Sequence, residues 1–192
     1  MVSGLIPADI TIRRNHFNKP ASWIGGPWSI KNLYENKNAK RVLIEQNVFE
    51  GSWAAAQEGW AMILKAENQS GGCRYCTSRD LTIRRNYFKR IGAGIAINGA
   101  GDTGFPNDSL SGRIDISENW MEGVREGQYA GNGRMFLVVG NAADVRITAN
   151  VALSSAGCNS FLTLDRPPSA TRLTFTKNAV QECAYGVIAT DL

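Results

Sequence analysis

Five charged residues of this 192-residue chain have the chemistry that acid–base catalysis needs. They stand in or beside segments rich in glycine and other turn-forming residues: Glu58, Lys65, Asp102, Asp108 and Asp165. Carboxylates placed in this way transfer protons as general acids or bases, and they also hold Ca²⁺. The same residue types are common in ordinary turns, so a purely structural role stays open.

Tryptophan supplies a second functional signal. Four of the five tryptophans lie in the first third of the chain, beside predicted loops: Trp23, Trp28, Trp53 and Trp60. Because an indole ring offers a large flat apolar face, it can stack on a sugar ring. We interpret these four residues as candidate substrate-binding residues of a carbohydrate groove. The alternative is that each of them covers an end of the hydrophobic core.

The four cysteines and the single histidine limit metal and redox chemistry. Cys73 and Cys76 form the segment CRYC in a glycine-rich loop, where a disulfide is plausible in a secreted protein. A zinc site needs further ligands, and His16 is distant in sequence. We expect Cys158 and Cys183 to be buried thiols. One histidine also excludes any mechanism that needs two imidazoles.

Composition excludes several other classes of protein. The net charge is +4, from 21 Lys and Arg against 17 Asp and Glu, and these residues are scattered along the chain. That pattern argues against nucleic acid as a partner. No stretch approaches the roughly 18 apolar residues of a membrane helix. The opening residues MVSGLIPADI also lack the features of a secretory signal.

The chain must position these residues on a repeated element. One nonapeptide pattern occurs six times, with apolar residues at its second and fourth positions and asparagine at its seventh. The copies are DITIRRNHF (9–17), RVLIEQNVF (41–49), DLTIRRNYF (80–88), RIDISENWM (113–121), DVRITANVA (144–152) and RLTFTKNAV (172–180). The two apolar positions have the period of a strand with one buried face.

A second apolar run follows each copy, and no interval shows helical periodicity. The runs are 28–33, 60–65, 94–98, 135–139, 161–164 and 185–189. Each repeat therefore predicts a strand, an asparagine turn, a loop, a second strand and a loop. Equivalent strands that pair in parallel build a right-handed parallel β-helix of about six coils. A β-sandwich is the alternative, but it does not keep one residue type at one offset.

In this fold the asparagines form a ladder. Its members are Asn15, Asn47, Asn86, Asn119, Asn150 and Asn178. Stacked amides bond along the column, and each side chain also holds its own turn in a left-handed conformation. The residue two positions after each asparagine points inward and forms an apolar stack that tapers toward the C-terminus.

Polar residues at the exit of the second strand form another predicted column. It contains Lys65, Asn98, Asn141, Asp165 and Asp191. We expect these side chains to line a lateral groove together with the long loops 51–60, 66–78 and 99–112, because function concentrates where loops leave a rigid scaffold. Asn98 and Asn141 are candidate substrate-binding residues.

The repeat resembles that of the right-handed parallel β-helix proteins, the pectin-lyase-like superfamily, and is similar to that of uncharacterised bacterial members with segments of the type KNAKRVLIEQNVFEGSWAAAQEGWAMIL. The resemblance covers residues 8–190. It implies an extracellular carbohydrate-active protein: a lyase would use a Lys or Arg base with Ca²⁺, and a hydrolase would use paired carboxylates. The catalytic motifs of these enzymes do not match this chain residue by residue.

The resulting hypothesis is a single β-helix domain over residues 1–192 that binds, and as a lyase or glycoside hydrolase cleaves, an extended polysaccharide. The alternative is a non-catalytic scaffold or binding module. We expect the full-length parent to be extracellular or periplasmic. Since no polar cap precedes Ala8 or follows the last strand, we also expect either a fragment of a longer protein or end-to-end association into a homo-oligomer.

Overall fold

The computed structural model describes residues 4–153, 157–166, 168 and 170–190. Strands dominate these residues, and they form three sheets of six parallel strands. Each coil of the chain contributes one strand to each sheet, which confirms the predicted parallel β-helix of about six coils. Among the described residues, no helix has the length and apolar character needed to cross a membrane.

The strand bounds follow the repeat. The first sheet contains β1 (Ala8–Arg13), β4 (Ala39–Glu45), β7 (Ser78–Arg84), β10 (Gly112–Ser117), β13 (Ala142–Thr148) and β16 (Ala170–Thr176). The second contains β2 (His16–Asn18), β5 (Val48–Ser52), β8 (Tyr87–Ile91), β11 (Trp120–Val124), β14 (Val151–Leu153) and β17 (Ala179–Val180). The third contains β3 (Tyr34–Asn36), β6 (Trp60–Lys65), β9 (Ala93–Asn98), β12 (Arg134–Val139), β15 (Ser160–Asp165) and β18 (Tyr185–Ala189). Short 3₁₀ turns lie at Ala21–Trp23 and Gln69–Gly71.

The hydrophobic core lies inside the coils, where equivalent side chains stack. The predicted stack after the asparagines is confirmed, in the order Phe17, Phe49, Phe88, Met121, Ala152 and Val180. The Phe17 and Phe49 rings are parallel with centroids 4.8 Å apart, and Phe49 and Phe88 are 4.9 Å apart. Phe49 and Phe88 have no solvent exposure.

The asparagine ladder is also confirmed. In the first five asparagines the side-chain amide donates to Oδ1 of the asparagine in the next coil, at 3.0–3.1 Å. The same oxygen accepts the backbone N–H of the preceding asparagine at 2.9–3.0 Å. One side chain therefore joins three coils where the first sheet turns into the second.

Three local predictions need correction. The residues after each asparagine form a strand of their own, so a coil has three strands rather than two. The left-handed residue of the turn is the one before the asparagine, such as Arg85 with φ 54°. The first strand of the third sheet is Tyr34–Asn36 and not the predicted apolar run 28–33. Ile30, which belongs to that run, packs instead into a separate cluster with Trp53 and Tyr129.

Cysteine pairing is partly as expected. Cys73 and Cys76 form the predicted disulfide. The expectation of free thiols at Cys158 and Cys183 is wrong, because these residues also form a disulfide. Each lies two residues before its strand of the third sheet, and Ser160 pairs directly with Tyr185, so parallel stacking brings the two sulfurs together.

A charge column on the surface accompanies the ladder. The first residue of each nonapeptide alternates in sign along the column, in the order Asp9, Arg41, Asp80, Arg113, Asp144 and Arg172. Each has φ between 49° and 59°. Three bidentate pairs form, with Arg Nη2 to Asp Oδ2 distances of 2.7–2.8 Å. Opposite charges at one offset thus favour the observed register.

Candidate functional site

A groove lies on the outer face of the third sheet. Its floor is the outward column of Ile63, Ala96 and Leu137, which are directly paired on β6, β9 and β12. Trp60 and Val139 pack against this floor, and together they form an apolar cluster separate from the core inside the coils. The cavity volume is about 240 Å³. The third sheet is therefore apolar on both of its faces at this point.

Loops supply the polar walls of the groove. Gln57 and Glu58 come from the loop before β6, Asp102 from the loop after β9, and Arg166 from the residue after β15. The Glu58 carboxylate accepts hydrogen bonds from Trp60 Nε1 at 3.2 Å and from Asn132 Nδ2 at 2.9 Å. Gln57 Oε1 is buried and has no hydrogen-bond partner among the described residues. The Glu58 carboxylate is therefore held by hydrogen bonds beside the apolar floor.

Lys65 forms the other end of the groove, inside a cluster of carboxylates. Its ammonium lies 2.9 Å from Glu67 Oε2, 3.1 Å from both Asp102 oxygens and 3.7 Å from Glu35 Oε1. The Lys65 side chain is only 9% exposed and that of Glu67 only 1%, whereas Asp102 is half exposed. Lys37 Nζ lies 3.9 Å from Glu35 Oε1, so three acidic side chains face two cations at this end of the groove.

The cluster fixes the charge states of Lys65 and Asp102. Burial lowers the pKa of Lys65, but hydrogen bonds to Glu67 and Asp102 outweigh burial and raise the pKa above its usual value. A side-chain hydrogen bond with Glu67 and the nearby Lys65 ammonium lower the pKa of Asp102, against the opposing effect of burial. Lys65 is therefore held as an ammonium and Asp102 as a carboxylate at neutral pH.

The loop that carries Asp102 is held by the disulfide loop of the preceding coil. Asn68 connects them, because its Nδ2 donates to Pro106 O at 2.7 Å while its Oδ1 accepts Cys73 N–H at 2.7 Å. Arg74 Nε also donates to Asp108 Oδ1 at 3.1 Å. Asp108 thus supports the loop and does not line the groove.

A wall of stacked loops between the second and third sheets carries an exposed aromatic pair. Trp23 and Trp28 have ring centroids 6.1 Å apart and are 39% and 60% exposed. They line a depression of about 320 Å³ with Lys19, Ser29 and Ile30. Beneath them Trp53 is buried against Ile30 and Tyr129, so it holds the wall together and offers no face to a ligand.

The predicted site residues divide into two groups. The groove brings together Glu58, Trp60, Lys65, Asn98 and Asp102. Elsewhere, Asp165 accepts a hydrogen bond from Thr190 Oγ1 and Asn141 accepts one from Thr171 Oγ1, both at 2.6 Å.

The predicted polar column is correct at three of its positions. Asn98 pairs with Lys65 in one direction and Val139 in the other, and Val139 pairs with Asp165. Val139, rather than Asn141, thus occupies the fourth coil, because β12 ends two residues before Asn141. Asp191 lies outside the described residues. Among the residues that are described, no group of three or more His, Cys, Asp and Glu side chains could hold a metal ion, so no Ca²⁺ site is assigned.

Sequence reasoning did not find the groove floor or its walls at Gln57 and Arg166. A signal for the floor was present, since the segments WAMIL, GIAI and MFLVV are continuously apolar. A strand that is apolar at every position is covered on both faces.

Comparison of the chain with protein-family models, with curated proteins and with solved structures found no match.

Proposed function

We propose that this protein binds a polysaccharide on the lateral surface of the β-helix, with one sugar ring in the groove of the third sheet. The observation that carries the proposal is the combination of an apolar floor at Ile63, Ala96 and Leu137 with fixed polar groups at both ends. A sugar ring presents C–H groups on its faces and hydroxyls around its edge, which complements such a surface. The volume of about 240 Å³ suits one small ring with the chain continuing outside.

The charge of the groove favours a neutral sugar over a uronic acid. Asp102 and Glu58 present carboxylate acceptors, and the Lys65 ammonium already faces three carboxylates. A sugar carboxylate beside Glu58 or Asp102 would meet a like charge, and Arg166 is the lining cation that lies outside the Lys65 cluster. Neutral hydroxyls, by contrast, donate to carboxylates in charge-assisted hydrogen bonds.

The geometry supports binding better than cleavage. A lyase base must accept a proton, but Lys65 is held in its protonated form by Glu67 and Asp102. Of the two carboxylates that line the groove, Glu58 accepts hydrogen bonds from Trp60 and Asn132, and Asp102 is paired with the Lys65 ammonium, so both are already engaged. A glycosidase needs one carboxylic acid that donates a proton and a second carboxylate that acts on the sugar or on water. The non-catalytic binding module is thus the preferred form of the hypothesis.

The two disulfides support an extracellular or periplasmic location for this function. Disulfides persist in oxidising compartments and are rare in the cytosol. The regular asparagine repeat supports membership of the pectin-lyase-like superfamily of β-helix proteins. Both statements belong to the proposal and point to glycans outside the cell as ligands.

Filling the groove tests the proposal. Ala96→Phe places a ring on the floor, and Ile188→Phe adds a similar ring in the same outward column three coils further on. We expect Ala96→Phe to weaken binding to soluble neutral polysaccharides at least tenfold in affinity electrophoresis, and Ile188→Phe to leave binding unchanged.

Folding of both variants is checked by urea unfolding. Asp102→Asn serves as a second variant that keeps the shape of the groove and removes one carboxylate; it should weaken binding several-fold. Binding that survives both groove variants would refute the proposal. New reducing ends or unsaturated products with the wild-type protein would refute its non-catalytic form.

A further inference from the structure

A second surface with binding chemistry lies on the outer face of the second sheet. The outward column contains His16, Val48, Tyr87, Trp120 and Val151 on consecutive strands. Trp120 in this column is 41% exposed, although it is a large aromatic side chain. The groove of the third sheet shares no residue with this surface.

One carboxylate fixes two aromatic side chains there. Glu122 lies two residues after Trp120 and accepts a hydrogen bond from Trp120 Nε1 at 3.2 Å. Its other oxygen accepts the hydroxyl of Tyr87, which is paired with Trp120 on the neighbouring strand. We name Tyr87, Trp120 and Glu122 the platform. Because both rings are anchored by their polar atoms, little side-chain entropy remains to be lost when a ligand packs on them.

A depression of about 360 Å³ adjoins the platform and offers hydrogen-bonding groups of both kinds. Its lining includes Lys89, Arg90 and Glu126 beside Tyr87 and Glu122. Behind it, Glu50 is 9% exposed and holds the two cations, with Lys89 Nζ at 3.2 Å and an Arg90 nitrogen at 2.8 Å. His16 Nε2 also lies 2.8 Å from Glu50. The two cations are therefore positioned by one carboxylate.

We infer that the platform and this depression form a second saccharide-binding site, which takes a neutral sugar ring on Trp120. An exposed indole beside fixed donors and acceptors matches the apolar face and hydroxyl edge of a sugar. The near balance of Lys89 and Arg90 against Glu50, Glu122 and Glu126 gives no preference for a charged ligand. The inference shares its ligand class with the proposed function but rests on different residues and a different sheet.

Nuclear magnetic resonance can read the two sites separately. Trp60 Nε1 bonds Glu58 in the groove, and Trp120 Nε1 bonds Glu122 in the platform, so each indole N–H reports one site. Uniformly ¹⁵N-labelled protein is titrated with neutral oligosaccharides of glucose, mannose, galactose, xylose and N-acetylglucosamine. The Trp120 signal is assigned by its loss in Trp120→Ala and the Trp60 signal by its loss in Trp60→Phe.

We expect a saturable shift of the Trp120 signal with at least one of these oligosaccharides. Trp120→Ala should lower the affinity of the platform about tenfold, read from the neighbouring backbone signals. Tyr185→Ala, which removes a 58% exposed aromatic ring from β18, is the matched control and should change nothing. The Trp120 side chain is outward and exposed, so its removal leaves the core intact.

The outcomes separate this inference from the proposed function. A shift of Trp60 alone overturns the second site and supports the groove. A shift of Trp120 alone supports the platform and overturns the groove. If no oligosaccharide shifts either signal, both are overturned.

Discussion

The asparagine ladder makes a strong prediction for the central coil. The Asn86 side chain takes part in four hydrogen bonds and is 1% exposed. Its Oδ1 accepts the backbone N–H and side-chain amide of Asn47, and its Nδ2 donates to Ile44 O and Asn119 Oδ1. Asn86→Ala removes all four: the buried Asn47 N–H loses its acceptor and Ile44 O loses a donor, whereas Asn119 Oδ1 keeps the Asn86 N–H and Asn47 Nδ2 keeps Ile12 O.

The magnitude follows from the number and burial of these bonds. At about 1 kcal/mol net per hydrogen bond, Asn86→Ala should lower the free energy of unfolding by about 4 kcal/mol. Asn15 occupies the same position in the first coil, but its side chain makes two hydrogen bonds and the residue is exposed. Asn15→Ala should therefore cost about 1 kcal/mol or less, which makes it the matched control.

Equilibrium urea unfolding, followed by circular dichroism and tryptophan fluorescence, measures both variants. In a solenoid each coil contacts only its neighbours, so weakening of a central coil should also separate the transitions seen by the two probes. Equal losses for Asn86→Ala and Asn15→Ala would refute the reasoning, because the ladder would then contribute no more where it is buried than where it is exposed.

Two further predictions concern the surface charge column and the disulfides. A side-chain hydrogen bond with Arg113 lowers the pKa of Asp80. The stabilisation of the folded state by this pair is present above the unfolded-state pKa of Asp, about 3.9, and is lost as pH falls through the lower folded-state pKa. The urea midpoint of the wild-type protein should thus fall more steeply below pH 4 than that of Asp80→Asn, and parallel curves would contradict this assignment. Cys158 and Cys183 are 25 residues apart, whereas Cys73 and Cys76 are only three apart. Because a disulfide that closes a longer loop stabilises more, replacing Cys158 and Cys183 by serine should lower the free energy of unfolding by about 3 kcal/mol, and replacing Cys73 and Cys76 should lower it by less. A larger loss for the second pair, measured in urea, would show that loop closure is not the main contribution.

The fold could be predicted because the repeat encodes it redundantly. Every copy of the nonapeptide carries its own inward apolar pair and its own asparagine, so an error in one copy does not change the register. The six repeat copies also carry two regularities that predict the charge column and the second disulfide. The first position alternates Asp and Arg through all six copies, and Cys158 and Cys183 occupy equivalent positions before β15 and β18.

The site could be predicted only in part, because the repeat does not specify the loops. Glu58 and Asp102 stood out as carboxylates in loops, but nothing in their spacing shows that both line one groove or that Asn68 ties the two neighbouring loops together. Trp60 was found for its aromatic ring, although it contributes as a buried part of the groove wall. The exposed Trp120 was less conspicuous, since it lies inside a repeat copy.

The outward column of the third sheet explains why the groove lies where it does. Along this column the residues are Glu35, Ile63, Ala96, Leu137, Thr163 and Ile188. The continuous apolar floor lies in the second, third and fourth coils, which are spaced about 4.8 Å apart, so it is roughly 10 Å long. Glu35 ends it beside Lys65, and Thr163 ends it with a hydrogen bond to Ser160. The length of the groove is thus set by two polar residues in the strands, while the loops determine only what lines its walls.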